Sequence, residues 1–394
     1  MLIPKYWAQY KRRFASSPTT DQPSKQATIK RYGWSDISQS DALNHAKARV
    51  SEAYGRWLVG EDVLRRERRE EYNASNGIPI REQIISQQFL PSSAQENVAP
   101  TQLVVTRNSY GAQVANVDNI AIIDVDYDDL LCYRYPEQYS HHGFMPALLL
   151  NKSTPSSTLN MWIFIVLFAV VASVFTWLGL SWLWLLVVMI GTTTYLWQQA
   201  SRRNKARLQQ HHDNIASLRP YMTDLLQKRV TRHPAEQFRL YETPKGFRII
   251  VTHDIVLPKD SVVAEWFEYF HADANYVRLS QVQQCFRARL TAKPWRMTEV
   301  EDKSLNKDIP AKEFWFGANN TDADNSTEQR QDELKVRKQW ITDYEGFTKG
   351  YRACRYVETF SGRASHNHSA QTAIDEFIQW HDRVCQVDKD LPLA

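Results

Sequence analysis

The sequence predicts an α+β fold, a mainly antiparallel sheet with helices on one face, interrupted by a two-helix transmembrane hairpin. Three observations carry this. Short runs of strand character, QLVVTR, AQVANV, IAIIDVD, RLYET and GFRII, are mixed with helical patterns in no regular alternation, which suits antiparallel pairing with helices layered on the sheet. The 49 residues from Ser153 to Ser201 contain no Asp, Glu, Lys or Arg. The mean hydropathy of the whole chain is nonetheless −0.50, so the remainder must be polar enough to fold in water.

From the N-terminus, MLIPKYWAQYKRRF lacks the apolar core of a secretory signal, and SSPTTDQPSKQ reads as a loop. Asp36 or Ser38 can cap a helix over about 39–58 that carries Ala42, Ala46, Val50, Ala53, Trp57 and Leu58 at helical spacing. Residues 1–100 form a helical and loop segment packing on the sheet. The first part of the α+β domain follows at 101–150: three short strands, with the turn NSYG between the first two and Asp124 and Asp126 at the exit of the third.

The apolar stretch is too long for one crossing, since a bilayer core takes about 20 helical residues. Gly179, Leu180 and Ser181 break it into spans over about 160–178 and 181–198 within a hairpin at 158–198. Trp162, Trp177, Trp182, Trp184 and Trp197 suit the bilayer interfaces. Lys152 precedes the hairpin, Arg202, Arg203, Lys205 and Arg207 follow it, and the turn is uncharged, so both termini and the soluble domain face the cytoplasm.

Residues 199–394 hold a long basic helix, bent near Pro220, and the second part of the α+β domain. Thr243, Pro244, Lys245 and Gly246 mark a hairpin turn. Helices follow over Ser261 to His271 and about 275–285, then strand FRARLTAKPWRM, an acidic polar loop at about 299–335, strand YRACRYVETF and a closing helix TAIDEFIQWHDRVC.

The formal net charge of +4, from 48 Lys and Arg against 44 Asp and Glu, is too small over this length to indicate nucleic acid by itself. Cys132, Cys285, Cys354 and Cys385 show no C-x-x-C pair and suit a reducing compartment. No Walker loop, nucleophile elbow or dinucleotide glycine fingerprint is present.

The chemistry points to IAIIDVDYDD. Asp124 and Asp126 stand two apart on a strand and share a face, and paired carboxylates there suit Mg²⁺ or Mn²⁺, hard cations that bridge to substrate phosphates. Arg248 and Lys245 near the glycine turn, and Arg287 and Arg289 on one face of FRARL with Lys293 and Arg296 after them, are candidate phosphate binders. The opposing expectation is that Arg287 and Arg289 pair with Asp124 and Asp126, or with other carboxylates, inside the folded sheet. His211, His212, His366 and His368 suit solvated surface better than a zinc site.

IPKYWAQ, RYGWSDISQSDA, PIREQI, TRNSYGA, LYETPKGFRI, YVRLSQVQQCFRARLTAKPWR and the final LPLA resemble a group of uncharacterised bacterial transmembrane proteins of unknown function. That resemblance implies the bacterial inner membrane. More distantly, a hydrophobic strand ending in Asp124 and Asp126, then a helix and a strand-turn-strand through Gly246, resembles the primase-polymerase superfamily. Phe247 and Arg248 stand where that superfamily has a phosphate-contacting histidine, and Asp375 and Glu376 lie where a late acidic motif would fall. The chain is thus expected to be a membrane-anchored protein whose partners are the lipid bilayer and a nucleotide or nucleic acid. The alternative is a non-catalytic interaction or scaffold protein at the membrane.

Overall fold

The computed structural model describes residues 1–15, 26–61, 79–91, 100–108, 110–139, 182–297, 327–362 and 368–394, together with 170, 173, 176, 177 and 179. Its architecture is α+β with antiparallel sheets. The chain divides into two compact units, Met1–Asp126 with Leu226–Ala394, and Tyr127–Leu225.

In the first unit, β1 (Tyr6–Ala15) and β2 (Gln26–Ser35) form an antiparallel ribbon. Helix α1 (Gln39–Leu58) packs on it, opened by the Ser38 hydroxyl accepting from the Asp41 amide at 3.1 Å. The buried stripe Ala42, Ala46, Val50 and Ala53 is small because α1 rides directly on the ribbon: a Cβ at Gly33 would lie 2.2 Å from the Ala46 nitrogen. A helix-and-loop segment was expected at the N-terminus, and the described part before α1 is instead this ribbon. Its aromatic and basic side chains mix without the clean apolar face that marks a strand, and it packs on α1 and in a cluster of Trp7, Tyr32, Trp34 and Val282.

Two four-stranded sheets make the body of the unit. One runs β3 (Gln83–Leu90), β4 (Thr101–Arg107), β5 (Gln113–Val117) and β9 (Phe286–Arg289). The other runs β10 (Arg355–Ser361), β7 (Gln237–Thr243), β8 (Gly246–Val251) and β6 (Ile122–Asp126). Every side chain of β8 is buried. A strand buried on both faces reads as an unbroken apolar run and needs cover on both sides. The helices accordingly flank this sheet rather than sharing one face: Trp266 and Phe270, on and just after α4 (Ser261–Tyr269), meet Phe238, whereas His381 of α7 (His368–Cys385) meets Tyr241 on the opposite face of the same strand.

Helix α5 (Ala274–Gln283) is capped by Asp273, whose carboxylate accepts from the amides of Asn275 and Tyr276. Helix α6 (Thr327–Thr348) begins inside the segment expected to be a loop. Its opening is rich in Glu, Gln, Lys and Arg, which are good helix formers, and its apolar anchors Trp340 and Tyr344 come only later.

The second unit contains α2 (Tyr127–Arg134) and most of α3 (Trp182–Arg232), a single helix with Pro220 inside it. His211, expected at the surface, is buried and shares a hydrogen bond with the Tyr139 hydroxyl at 2.9 Å. The start of α3 exposes Leu186, Ile190 and Trp197, the last at 72%. Among the described residues no helix is long and apolar enough to cross a membrane, and the first expected span lies almost wholly outside them. The last turns of α3, from Leu226, belong to the first unit. There Arg229 is buried and forks onto Glu236 with two 2.6 Å hydrogen bonds, and also pairs with Glu265.

Candidate functional site

Strand β6 carries Asp124 and Asp126 on one face, and in the ladder with β8 they stand opposite Arg248 and Gly246. Gly246 is a close-approach residue, because a Cβ there would lie 1.9 Å from the Val125 carbonyl oxygen. On the far side of β8 the same row continues to Tyr241, so carboxylate, guanidinium and phenol lie side by side across three strands.

The second sheet brings its cations to the same place. Tyr276 joins the two: its hydroxyl donates to the Ile122 carbonyl at 2.8 Å and accepts from the Arg287 amide at 3.2 Å, tying β9 to β6. The Asp273 amide donates to the Asp124 carbonyl at 3.0 Å. After β9 the chain is held by the Gln113 amide on the Thr291 hydroxyl and by the Tyr344 hydroxyl on the Ala292 carbonyl. The strand expected to run on to Met297 ends at Arg289, and the chain turns instead through a short 3-10 helix, Pro294–Arg296, opened by the proline, which has no N–H to give a ladder.

Arg289, Lys293 and Arg296 are each half-buried and act electrostatically on the half-buried Asp124 and Asp126. Burial raises the Asp124 carboxyl above its usual range, against the lowering influence of Arg248, Arg289 and Lys293 and with Asp273 adding to the rise. Burial, joined by the charges of Arg289 and Arg296, pushes the Lys293 ammonium down to about 8. Arg296 is lowered for the same reasons, burial first and Arg289 next. Among the described residues the Asp124 carboxylate has no hydrogen bond or ion pair, and the buried Arg289 Nε and Arg296 Nη1 have no acceptor. Arg289 thus depresses both Lys293 and Arg296, and these cations face the Asp124 carboxylate without touching it, an arrangement that suits a bound cation on the acidic side and a bound anion on the basic side.

Beside this lies a second polar cluster, buried at Arg248, His381, Tyr241, Cys354 and Cys385 and half-buried at Asp382 and Arg239. Arg248 is 3% exposed, and its Nη1 donates to the Arg289 carbonyl and to His381 Nε2, both at 3.1 Å. His381 Nδ1 therefore carries the proton and donates to Asp382 Oδ1 at 2.9 Å, while Asp382 also accepts from Tyr241 and Arg239 at 2.8 Å each. Cys354 Sγ lies 4.0 Å from His381 Nε2, and together with Cys385 these ligand atoms fall within 4.8 Å of one another. Burial would raise the Cys354 thiol, but the hydrogen bond with Cys385, then neighbouring His381 and the Arg248 charge, outweigh it and hold it well below the usual thiol range. Two sulfurs and an imidazole could ligate a soft metal. The Arg248 guanidinium already contacts His381 Nε2 and Cys354 Sγ, which makes the cluster an internal network locking α7 onto the sheet.

The candidate residues of the sequence thus separate. Asp124, Asp126, Arg248 and Arg289 come together, joined by Lys293 and Arg296. Arg287 is taken up by Glu82, at 2.5 Å, and not by either aspartate. Lys245 sits exposed at the β7–β8 turn. Asp375 and Glu376 lie on the outer face of α7 and line a cleft of about 590 Å³ with Gln88, Trp380 and Arg383. Sequence reasoning missed Tyr276, His381 and Asp382. The one available signal was the four-residue spacing of His381 and Cys385, which puts both on one helix face.

No family model matches the chain. No curated protein and no solved structure matches it either.

Proposed function

We propose that this is a membrane-anchored protein whose cytoplasm-facing α+β body binds a phosphorylated ligand, a nucleotide or nucleic acid, together with Mg²⁺ or Mn²⁺. Asp124 and Asp126 hold the metal, Arg289, Lys293 and Arg296 face the phosphate, and Arg248 stiffens the floor between them. One observation carries the proposal. Three cations and two carboxylates share one half-buried place, while buried N–H groups of Arg289 and Arg296 lack acceptors there. A metal–phosphate complex answers both demands at once: the metal neutralises the carboxylates, and the phosphate oxygens accept from the guanidinium forks. The distant resemblance to the primase-polymerase superfamily belongs to the same proposal, through Asp124 and Asp126.

Titration of the detergent-solubilised full chain with Mn²⁺, followed by loss of the free-ion paramagnetic signal, tests the metal half. Wild type should take up Mn²⁺ and the Asp124→Asn, Asp126→Asn variant should not. Equal uptake by both would overturn the assignment and favour the non-catalytic scaffold.

The anchor is a two-span helical hairpin at about 160–178 and 181–198, with both termini and the body on the cytoplasmic side of the inner membrane. The exposure of Leu186, Ile190, Leu196 and Trp197 on a helix start supports it, since such side chains suit lipid. The flanking Arg202, Arg203, Lys205 and Arg207 set the orientation. A periplasmic reporter active when fused to the C-terminus would contradict the topology.

A further inference from the structure

Next to the cations lies an aromatic pair that the metal–phosphate site does not use. Trp295 is 47% exposed although it sits in the middle of the constrained 3-10 turn that carries the cations. Its ring meets the half-buried Tyr110 edge-on, with centroids 5.0 Å apart at 66°. The Lys293 ammonium lies 5.6 Å from the Trp295 centroid and 5.8 Å from that of Tyr110. Lys293 thus lies against both rings and within the electrostatic influence of Asp124 and Asp126.

The platform is rigid on its inner side. Pro294 is buried before Trp295 and Met297 after it, and Met297 packs with Ala112, Ala292, Trp340 and Tyr344. Tyr110 packs against the same cluster, held by its amide donating to the Asn108 side chain at 3.1 Å. An indole left half in water on so fixed a turn, alongside cations that face a carboxylate pair, has the layout of a surface for a flat, electron-rich ring whose phosphates point toward the cations. Stacking on an aromatic side chain is tolerant of base identity because every base has a π-face.

We infer that Trp295, steadied by Tyr110 and Lys293, is the stacking platform for the base of a nucleotide whose phosphates lie against Arg289, Lys293 and Arg296. The inference rests on the proposed phosphate site and names its ligand class as one that carries an aromatic base. It excludes sugar phosphates and inorganic phosphates as the preferred ligand. Stacking reads the π-face of a base and not its edge, so purine and pyrimidine should bind with similar strength.

The test measures binding of ATP, CTP and tripolyphosphate, each with Mn²⁺, to the full chain in detergent, for wild type, Trp295→Ala and Trp295→Phe. Wild type should bind both nucleotides more tightly than tripolyphosphate. Trp295→Ala should weaken ATP and CTP by roughly 5- to 100-fold and leave tripolyphosphate unchanged, and Trp295→Phe should restore most of the loss. Equal binding of ATP by wild type and Trp295→Ala, with tripolyphosphate bound by both, would overturn the platform and leave the phosphate site standing. Failure of wild type to bind any of the three would overturn the phosphate site and the platform with it. Because Trp295 is half-exposed, its variants should fold, and an unchanged melting temperature would confirm that a loss of affinity is local.

Discussion

Gly246→Ala tests whether the close approach of β8 to β6 is what presents the two aspartates. The added Cβ would sit 1.9 Å from the Val125 carbonyl oxygen, 2.9 Å from its carbonyl carbon and 3.0 Å from the Asp126 Cα, all backbone atoms of the strand that carries the site. Real Cβ contacts essentially never fall under 3.0 Å, so the two strands must part by about 1.1 Å, the difference between 3.0 and 1.9. No side chain can swing aside to absorb that. Forced overpacking of this kind costs about 1–3 kcal/mol. With a loss of about 2 kcal/mol and a urea dependence of about 3 kcal/mol per molar, the midpoint should fall by roughly 0.7 M. Because Asp126 faces Gly246 directly, Mn²⁺ uptake should weaken in the folded variant as well. Gly55→Ala is the control: a Cβ there meets nothing within 4 Å, and alanine favours the interior of α1 by up to about 1 kcal/mol. If Gly246→Ala melted in urea like wild type and bound Mn²⁺ equally, the claim that this contact positions the carboxylates would fail.

Other outcomes follow from the same geometry. Asp382→Ala strands His381 Nδ1, the Tyr241 hydroxyl and Arg239 together and should cost about 3 kcal/mol in urea unfolding; a loss under about 1 kcal/mol would mean that the network does not lock α7. Lys293, at about 8 when folded and 10.5 when unfolded, binds fewer protons folded than unfolded between those values, so its contribution to stability rises with pH across that window. Ligand affinity should move the other way, weakening between pH 7 and 9 as Lys293 loses its charge, and Lys293→Met should flatten that slope. Asp124, raised when folded, must be deprotonated to hold a metal, so Mn²⁺ affinity should fall as the solution is acidified through its raised pKa; acid-insensitive uptake would place the metal elsewhere.

The sequence was most legible where one period dominated. Helix α1 matches its expected bounds at Gln39–Leu58, and the apolar strands β4 to β8 stand out because burial on one or both faces leaves a simple pattern. The N-terminal ribbon was not legible, since Lys11, Arg12 and Arg13 interrupt its apolar alternation and its cover is supplied by a helix later in the chain. At the site, the shared face of Asp124 and Asp126 was readable from spacing alone. Which arginine meets which acid was not. Arg287 and Arg289 share a face and a pattern, yet Glu82 of another segment captures Arg287, while Tyr276 brings Arg289 toward Asp124. Those choices are tertiary and leave no local signature. The cluster of Cys354 with His381, Asp382 and Cys385 was hidden for the same reason: the last three lie on α7, but Cys354 comes from the segment just before β10.

Calorimetry of the full chain in detergent with Mn²⁺ and ATP tests the central claim most directly. The account predicts binding heat with ATP that requires the metal and is lost when Asp124 and Asp126 are both replaced by Asn. Absence of heat in wild type, or binding unchanged by the double substitution, would contradict it.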